Sequence, residues 1–169
     1  MNEINSNIQS IGYGEITIED KNGNKTIKPF KNAILKTGRE AIIKALTHTL
    51  QACSNTSGQF EYAFPFFVKN MLFGNGGEVG GVPRAVNANQ NGMYGITVAT
   101  KQVNSLINPN NSSQAIFTAV LGFNDGNGYS ISEIGLQMGS NDLYSLSTFS
   151  GIAKTSQIQI TFSWNINIL

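Results

Sequence analysis

Charged residues make up only 12% of this 169-residue chain, about half the share of roughly 25% found in ordinary soluble domains. Net charge is +1, so electrostatic repulsion does little to keep copies of the chain apart. Cysteine occurs once, at Cys53, which excludes an internal disulfide and a cysteine-built metal cluster within one chain. Histidine also occurs once. His48 has no Cys, Asp or Glu four residues before or after it, a poor setting for a metal ligand or a catalytic base. No run of eighteen apolar residues is present, which excludes a transmembrane helix. The opening MNEINSNIQS lacks the basic and apolar regions of a signal peptide, so synthesis and folding in a cytoplasm are expected.

Uncharged polar residues fill the gap, with 21 Asn, 15 Ser, 12 Thr, 9 Gln and 18 Gly. Two origins fit this excess: a subunit that spends its life packed in an assembly, or a genome whose A/T-rich codons favour Asn, Ile and Lys. The few charges are unevenly spread. Between Lys21 and Lys44 stand seven cations against one acid, Glu40. Such a segment either faces nucleic acid, through Lys25, Lys28 and Lys31, or forms a solvated surface. Beyond Lys101 only Asp125, Glu133, Asp142 and Lys154 remain, and charge depletion of this kind marks buried subunit contacts.

The most regular pattern is at the C-terminus. Ile158, Ile160, Phe162, Trp164, Ile166 and Ile168 alternate with Gln159, Thr161, Ser163, Asn165 and Asn167, a period of two that predicts one long strand with a buried face. Earlier, residues 1–8 read as a flexible polar arm, and 9–30 as a hairpin turning at Asn22-Gly23, with Pro29 placing the return strand at an edge. A helix is predicted over about 37–52. Thr37 and Glu40 fit a capping box, and Ile42, Ala45, Leu46, Thr49 and Leu50 form its apolar stripe. Further strands are read at 66–73, 93–107 (with an irregularity), 114–123, 131–138 and 143–149, with turn signals at Asn108-Pro109, Asn124–Gly128 and Gly139–Asp142. The sum is one mostly β domain over 1–169, an antiparallel β-sandwich of about seven to nine strands with one packed helix.

No motif specifies catalysis or a cofactor. The glycine-rich GNGGEVGGVP lacks the Gly-Lys-Ser/Thr ending and βαβ setting of a phosphate loop. It reads instead as part of a long surface loop over about 75–92, where partner contacts through Gly76, Gly77, Val79, Val82, Pro83, Asn89, Asn91 and Tyr94 are expected. Counting twelve positions from Asp125 reaches Leu136 rather than glutamate, against a calcium loop. Glu133, inside ISEIGL, requires a partner if buried, and Lys154 or Arg39 would supply opposite charge.

The run from Gly128 to Leu169 resembles the end of bacteriophage virion domains of the tail-fibre N-terminal, or tail-collar fibre, type. The resemblance rests on Ile131, Glu133, Gly135 and Leu136, then Leu143, Phe149 and Lys154, then the alternation around Trp164. Upstream, TGREAI and MLFGNGG resemble the same family's helix and glycine-ended strand, so about 35–169 is covered. The resemblance implies a non-enzymatic structural protein of the virion, assembled in the host cytoplasm, that joins tail, neck or baseplate components and fibres. A fibre continues into a shaft after this domain, whereas this chain stops at Leu169, and it carries an added hairpin before the helix. A ring, collar or baseplate adaptor that associates with copies of itself is therefore expected, with DNA in the conduit as a further partner. The alternative is a receptor- or carbohydrate-binding module using Tyr62, Tyr94, Asn89 and Asn91.

Overall fold

The computed structural model describes residues 10–46, 51–54, 60–63 and 66–168. Ser10–Asp20 (β1) and Lys25–Ile34 (β2) form the N-terminal hairpin, with Gly23 at φ 84° in its turn. The helix Lys36–Leu46 (α1) follows, then Gln51–Ser54 (β3) and Phe60–Ala63 (β4), which pair only with each other. Val68–Gly74 (β5) leads into a small hairpin, Glu78–Val79 (β6) and Val82–Pro83 (β7). Thr97–Gln102 (β8), Asn104–Ile107 (β9), Gln114–Leu121 (β10), Ser130–Met138 (β11), Leu143–Ala153 (β12) and Ile158–Ile168 (β13) complete the chain.

Nine strands make one antiparallel sheet in the order β8-β5-β11-β12-β2-β1-β13-β10-β9. The two edge strands are consecutive in sequence and separated by Val103 alone. β8 pairs with β5 and β9 with β10, while the Val103 amide donates to the Lys69 carbonyl at 3.1 Å. One bent stretch of chain thus touches both margins, and the sheet curls nearly into a barrel. The irregularity expected within 93–107 is this change of partner, and the strand begins at Thr97 rather than Met93.

β13 lies between β1 and β10, in register from Ser10↔Ile168 to Asp20↔Ile158 and from Gln114↔Asn167 to Leu121↔Ile160. Its even residues Ile160, Phe162, Trp164 and Ile166 are buried, as the alternation requires. Phe73 of β5 meets Phe162 of β13 across the interior at 4.9 Å, while Phe30 meets Trp164 edge-on at 5.2 Å over Gly14, the β1 residue paired with both. The N-terminal hairpin is part of the sheet, because β1 pairs with β13 along its whole length. Pro29 sits where β2 has one neighbour, since β2 meets β12 only at Ala33 and Ile34.

The helix is shorter than 37–52. It begins at Lys36, and Gln51–Ser54 form a strand paired with Phe60–Ala63. Its start is not a capping box: Thr37 lies inside the helix and donates its hydroxyl to the Leu143 carbonyl, while Glu40 pairs with Lys36 at 3.7 Å. The Ala88 carbonyl instead accepts from the first helical amide, that of Lys36, at 2.7 Å, satisfying a donor that has no partner within the helix. Ala41 rather than Ala45 is buried, and Ile42 is half-buried. His48 lies outside the described residues, as do residues 1–8 and the side chains of Cys53 and Tyr62. No helix among the described residues is long and apolar enough to cross a membrane.

Candidate docking surfaces

The segment after β5 leaves the barrel, returns along its outer face, and rejoins it at β8. It covers a second, smaller apolar cluster of Leu35, Leu72, Leu143 and Leu146 with Val86, Met93 and Tyr94. β11 is consequently buried on both faces. Glu133 fastens this segment. Its carboxylate is fully buried and accepts three backbone amides: Gly76 at 3.0 Å and Gly95 at 2.7 Å on Oε1, and Tyr94 at 2.8 Å on Oε2. A buried carboxylate needs hydrogen bonds to offset lost hydration, and here the main chain supplies them. The expected cation does not: Arg39 donates to the Ile34 carbonyl at 2.9 Å, and Lys154 is held elsewhere.

Both ends of the excursion are thereby tied to one side chain. Gly77 adds a bond to Ser132 Oγ at 2.9 Å, and any side chain at Gly77 would overlap the Ser132 carbonyl. Gly135 leaves room for Leu143 and Met93. Gly76, Gly77 and Tyr94 thus fasten the outer segment to the barrel. The Tyr94 hydroxyl donates to the Ala85 carbonyl at 2.9 Å, and Arg84 stacks over its ring at 5.3 Å.

The part that projects is the β6–β7 hairpin. Gly80 and Gly81 both have positive φ, 59° and 81°, the conformation a two-residue hairpin turn requires. Glu78 Oε2 accepts the Gly151 amide at 2.8 Å, Arg84 N donates to the Gly77 carbonyl at 2.8 Å, and Thr148 Oγ1 donates to the Arg84 carbonyl at 2.6 Å. The tip so anchored presents Val79, 59% exposed, and Val82, 67% exposed, with Pro83 exposed beside them. Asn89 and Asn91 are exposed farther along.

At the Val68 end of the barrel, a cavity of about 500 Å³ opens among Phe67, Leu106, Ile107, Phe117, Ile166 and their neighbours. This surface was not among the sequence expectations, although Leu106-Ile107 carries its signal: two adjacent apolar residues on a strand cannot both face one side.

Lys154 is 1% exposed and reaches into the Asn124–Gly128 turn, donating to Asn127 Oδ1 at 3.0 Å and the Thr155 carbonyl at 2.9 Å. Burial lowers its affinity for a proton, with Asp125 opposing that shift. Asp125 is bridged by Lys101 at 2.8 Å, which holds its carboxyl below the ordinary range against the effect of burial. The basic segment does not form one patch. Strand alternation sets Lys28 opposite to Lys25 and Lys31, and Lys25 pairs with Glu19 at 3.6 Å. Trp164 is a core residue, fully buried, and its indole N–H has no hydrogen-bond partner among the described residues.

No family model, curated protein or solved structure matches the chain.

Proposed function

We propose that the chain is a structural virion protein of a tailed bacteriophage, a ring, collar or baseplate adaptor that works by self-association and by docking fibres or neighbouring rings. The observation that carries this reading is the apolar β6–β7 tip, exposed yet braced at its base by Glu78, Arg84 and the Glu133 fastening. A docking element pre-ordered in this way loses little conformational entropy when it binds. The residues that carry the phage-domain resemblance have structural work consistent with such a part. Glu133 and Gly135 hold the outer segment, Lys154 holds the β10–β11 turn, and Trp164 fills the barrel. The low charge of the second half suits surfaces that are covered in an assembly.

The test is the molar mass of the purified protein by light scattering, together with the position of its copies in the particle by electron microscopy. A closed ring at one axial level of the tail, neck or baseplate is expected. A monomer or trimer that binds purified glycan would replace this reading with the receptor-binding one.

A further inference from the structure

An asparagine followed by glycine is open to attack by its own main chain. Glycine has no Cβ to shield its amide nitrogen, and its backbone rotates with little restriction. The chain contains four such pairs, Asn22-Gly23, Asn75-Gly76, Asn91-Gly92 and Asn127-Gly128. The pairs are chemically alike, and the fold sets them apart.

Asn75-Gly76 is held at both reacting groups. The Gly76 amide donates to Glu133 Oε1 at 3.0 Å, and Asn75 Oδ1 accepts the Ile96 amide at 3.2 Å. Asn127-Gly128 is held as firmly. The Gly128 amide donates to the Lys154 carbonyl at 2.9 Å, and the Asn127 side chain donates to the Phe123 carbonyl at 2.9 Å and accepts from Lys154 Nζ at 3.0 Å. Asn22 lies in the exposed hairpin turn, yet the Gly23 amide donates to the Asp20 carbonyl at 3.0 Å, and Asp20 Oδ1 accepts the Asn22 amide at 2.8 Å. Both that bond and the adjacent negative charge oppose removal of a proton from the Gly23 nitrogen.

Asn91-Gly92 has none of these restraints. It lies outside every helix and strand, with Asn91 exposed. Among the described residues, no hydrogen bond engages the Asn91 side chain or the Gly92 amide. The one bond at this pair runs from Gln90 Nε2 to the Gly92 carbonyl at 3.0 Å. The space that a side chain would fill at Gly92 is empty, so neighbouring atoms do not wedge the glycine in place.

We infer that Asn91 is the position at which the folded chain converts spontaneously to aspartate and isoaspartate. The Gly92 amide nitrogen gives its proton to a base and attacks Cγ of Asn91. The N–Cγ bond forms as Cγ–Nδ2 breaks, and the departing NH₂ group takes up a proton and leaves as ammonia. Water, the only co-reactant, then opens the succinimide ring. Attack at Cγ restores the ordinary main chain as aspartate, whereas attack at the main-chain carbonyl routes the chain through the side chain as isoaspartate. Either product adds one negative charge and takes the net charge from +1 to zero, removing what repulsion there is between copies. Isoaspartate also inserts a carbon into the main chain between the Asn87–Gln90 turn and the Tyr94 amide held by Glu133.

The purified chain is incubated folded at mildly alkaline pH and, in parallel, unfolded in guanidinium chloride. Digestion and mass spectrometry with electron-transfer fragmentation then quantify aspartate and isoaspartate at each position. In the folded protein Asn91 should convert roughly five-fold faster, or more, than Asn22, Asn75 and Asn127, the factor set by one ordinary hydrogen bond on the attacking nitrogen. In guanidinium the four rates should draw together, because every one of these asparagines precedes glycine. Gly92→Ala, which the empty space at that position accommodates, should slow conversion of Asn91 and leave the other three unchanged. Comparable rates at all four positions of the folded chain, conversion of Asn22 ahead of Asn91, or an Asn91 rate indifferent to Gly92→Ala would overturn the inference.

Discussion

Glu133 shows how one side chain organises a long excursion of main chain. Its two oxygens gather amides from Gly76, Tyr94 and Gly95, so the departing and returning ends of the outer segment meet at a single carboxylate. Glu133→Gln keeps the shape but sets an NH₂ group against at least one of these amides. A loss of about 3 kcal/mol in unfolding free energy is expected, read as a lower urea midpoint at unchanged slope. A loss under 0.5 kcal/mol would mean that the charge is not what holds the segment. Lys154 carries a different signature. Burial lowers its proton affinity in the folded state, so the unfolded chain binds that proton more tightly. Stability therefore rises as pH climbs through the folded-state value toward the ordinary lysine value of about 10.4. The difference in urea midpoint between wild type and Lys154→Met should move in favour of wild type over that alkaline window, and a flat difference would contradict it. The places of Glu133 in an apolar strand and of Lys154 beside a turn were readable from the sequence. Their partners were not, because backbone amides and a turn asparagine have no distinguishing spacing in a sequence.

Among elements, the terminal strand was the most legible, since an unbroken period of two leaves one solution for its buried face. The helix was legible in existence but not in extent. Between Gly38 and Gly58 no glycine or proline punctuates the chain, and the switch to strand at Gln51–Ser54 comes from pairing with Phe60–Ala63, a partnership the local pattern does not announce. The glycine-rich loop concealed a hairpin for a related reason: four strand residues are too few to show alternation. The stretch from Thr97 to Ile107 is the element on which closure turns. Val103→Pro would remove the amide that donates to Lys69 where the chain passes from one margin of the sheet to the other. A cost of about 2–3 kcal/mol is expected, measured by urea denaturation beside Val103→Ala, which removes side-chain packing alone. Equal losses in the two variants would show that the hydrogen bond contributes nothing to closure.

At the scale of the whole molecule, the mostly β class with a single helix followed from composition, period and turn spacing. The curl of nine strands into a near-barrel did not. It depends on which strands pair across long stretches of sequence, as when β1 joins β13 and β2 reaches β12. The exposed apolar surfaces lie where the sequence is least periodic, on the outer segment and at the barrel mouth. Exposure there is decided by the fold rather than by residue type.

The bend at Val103 has a bearing on solubility. With a net charge of +1, the molecule cannot rely on repulsion to prevent strands of different copies from adding to one another's sheets. Its two margins are strands of only six and four residues, joined as one bent segment, which leaves little unpaired backbone at that seam to template amyloid-like growth. The self-association we propose would at that seam proceed through side-chain contacts rather than through sheet extension.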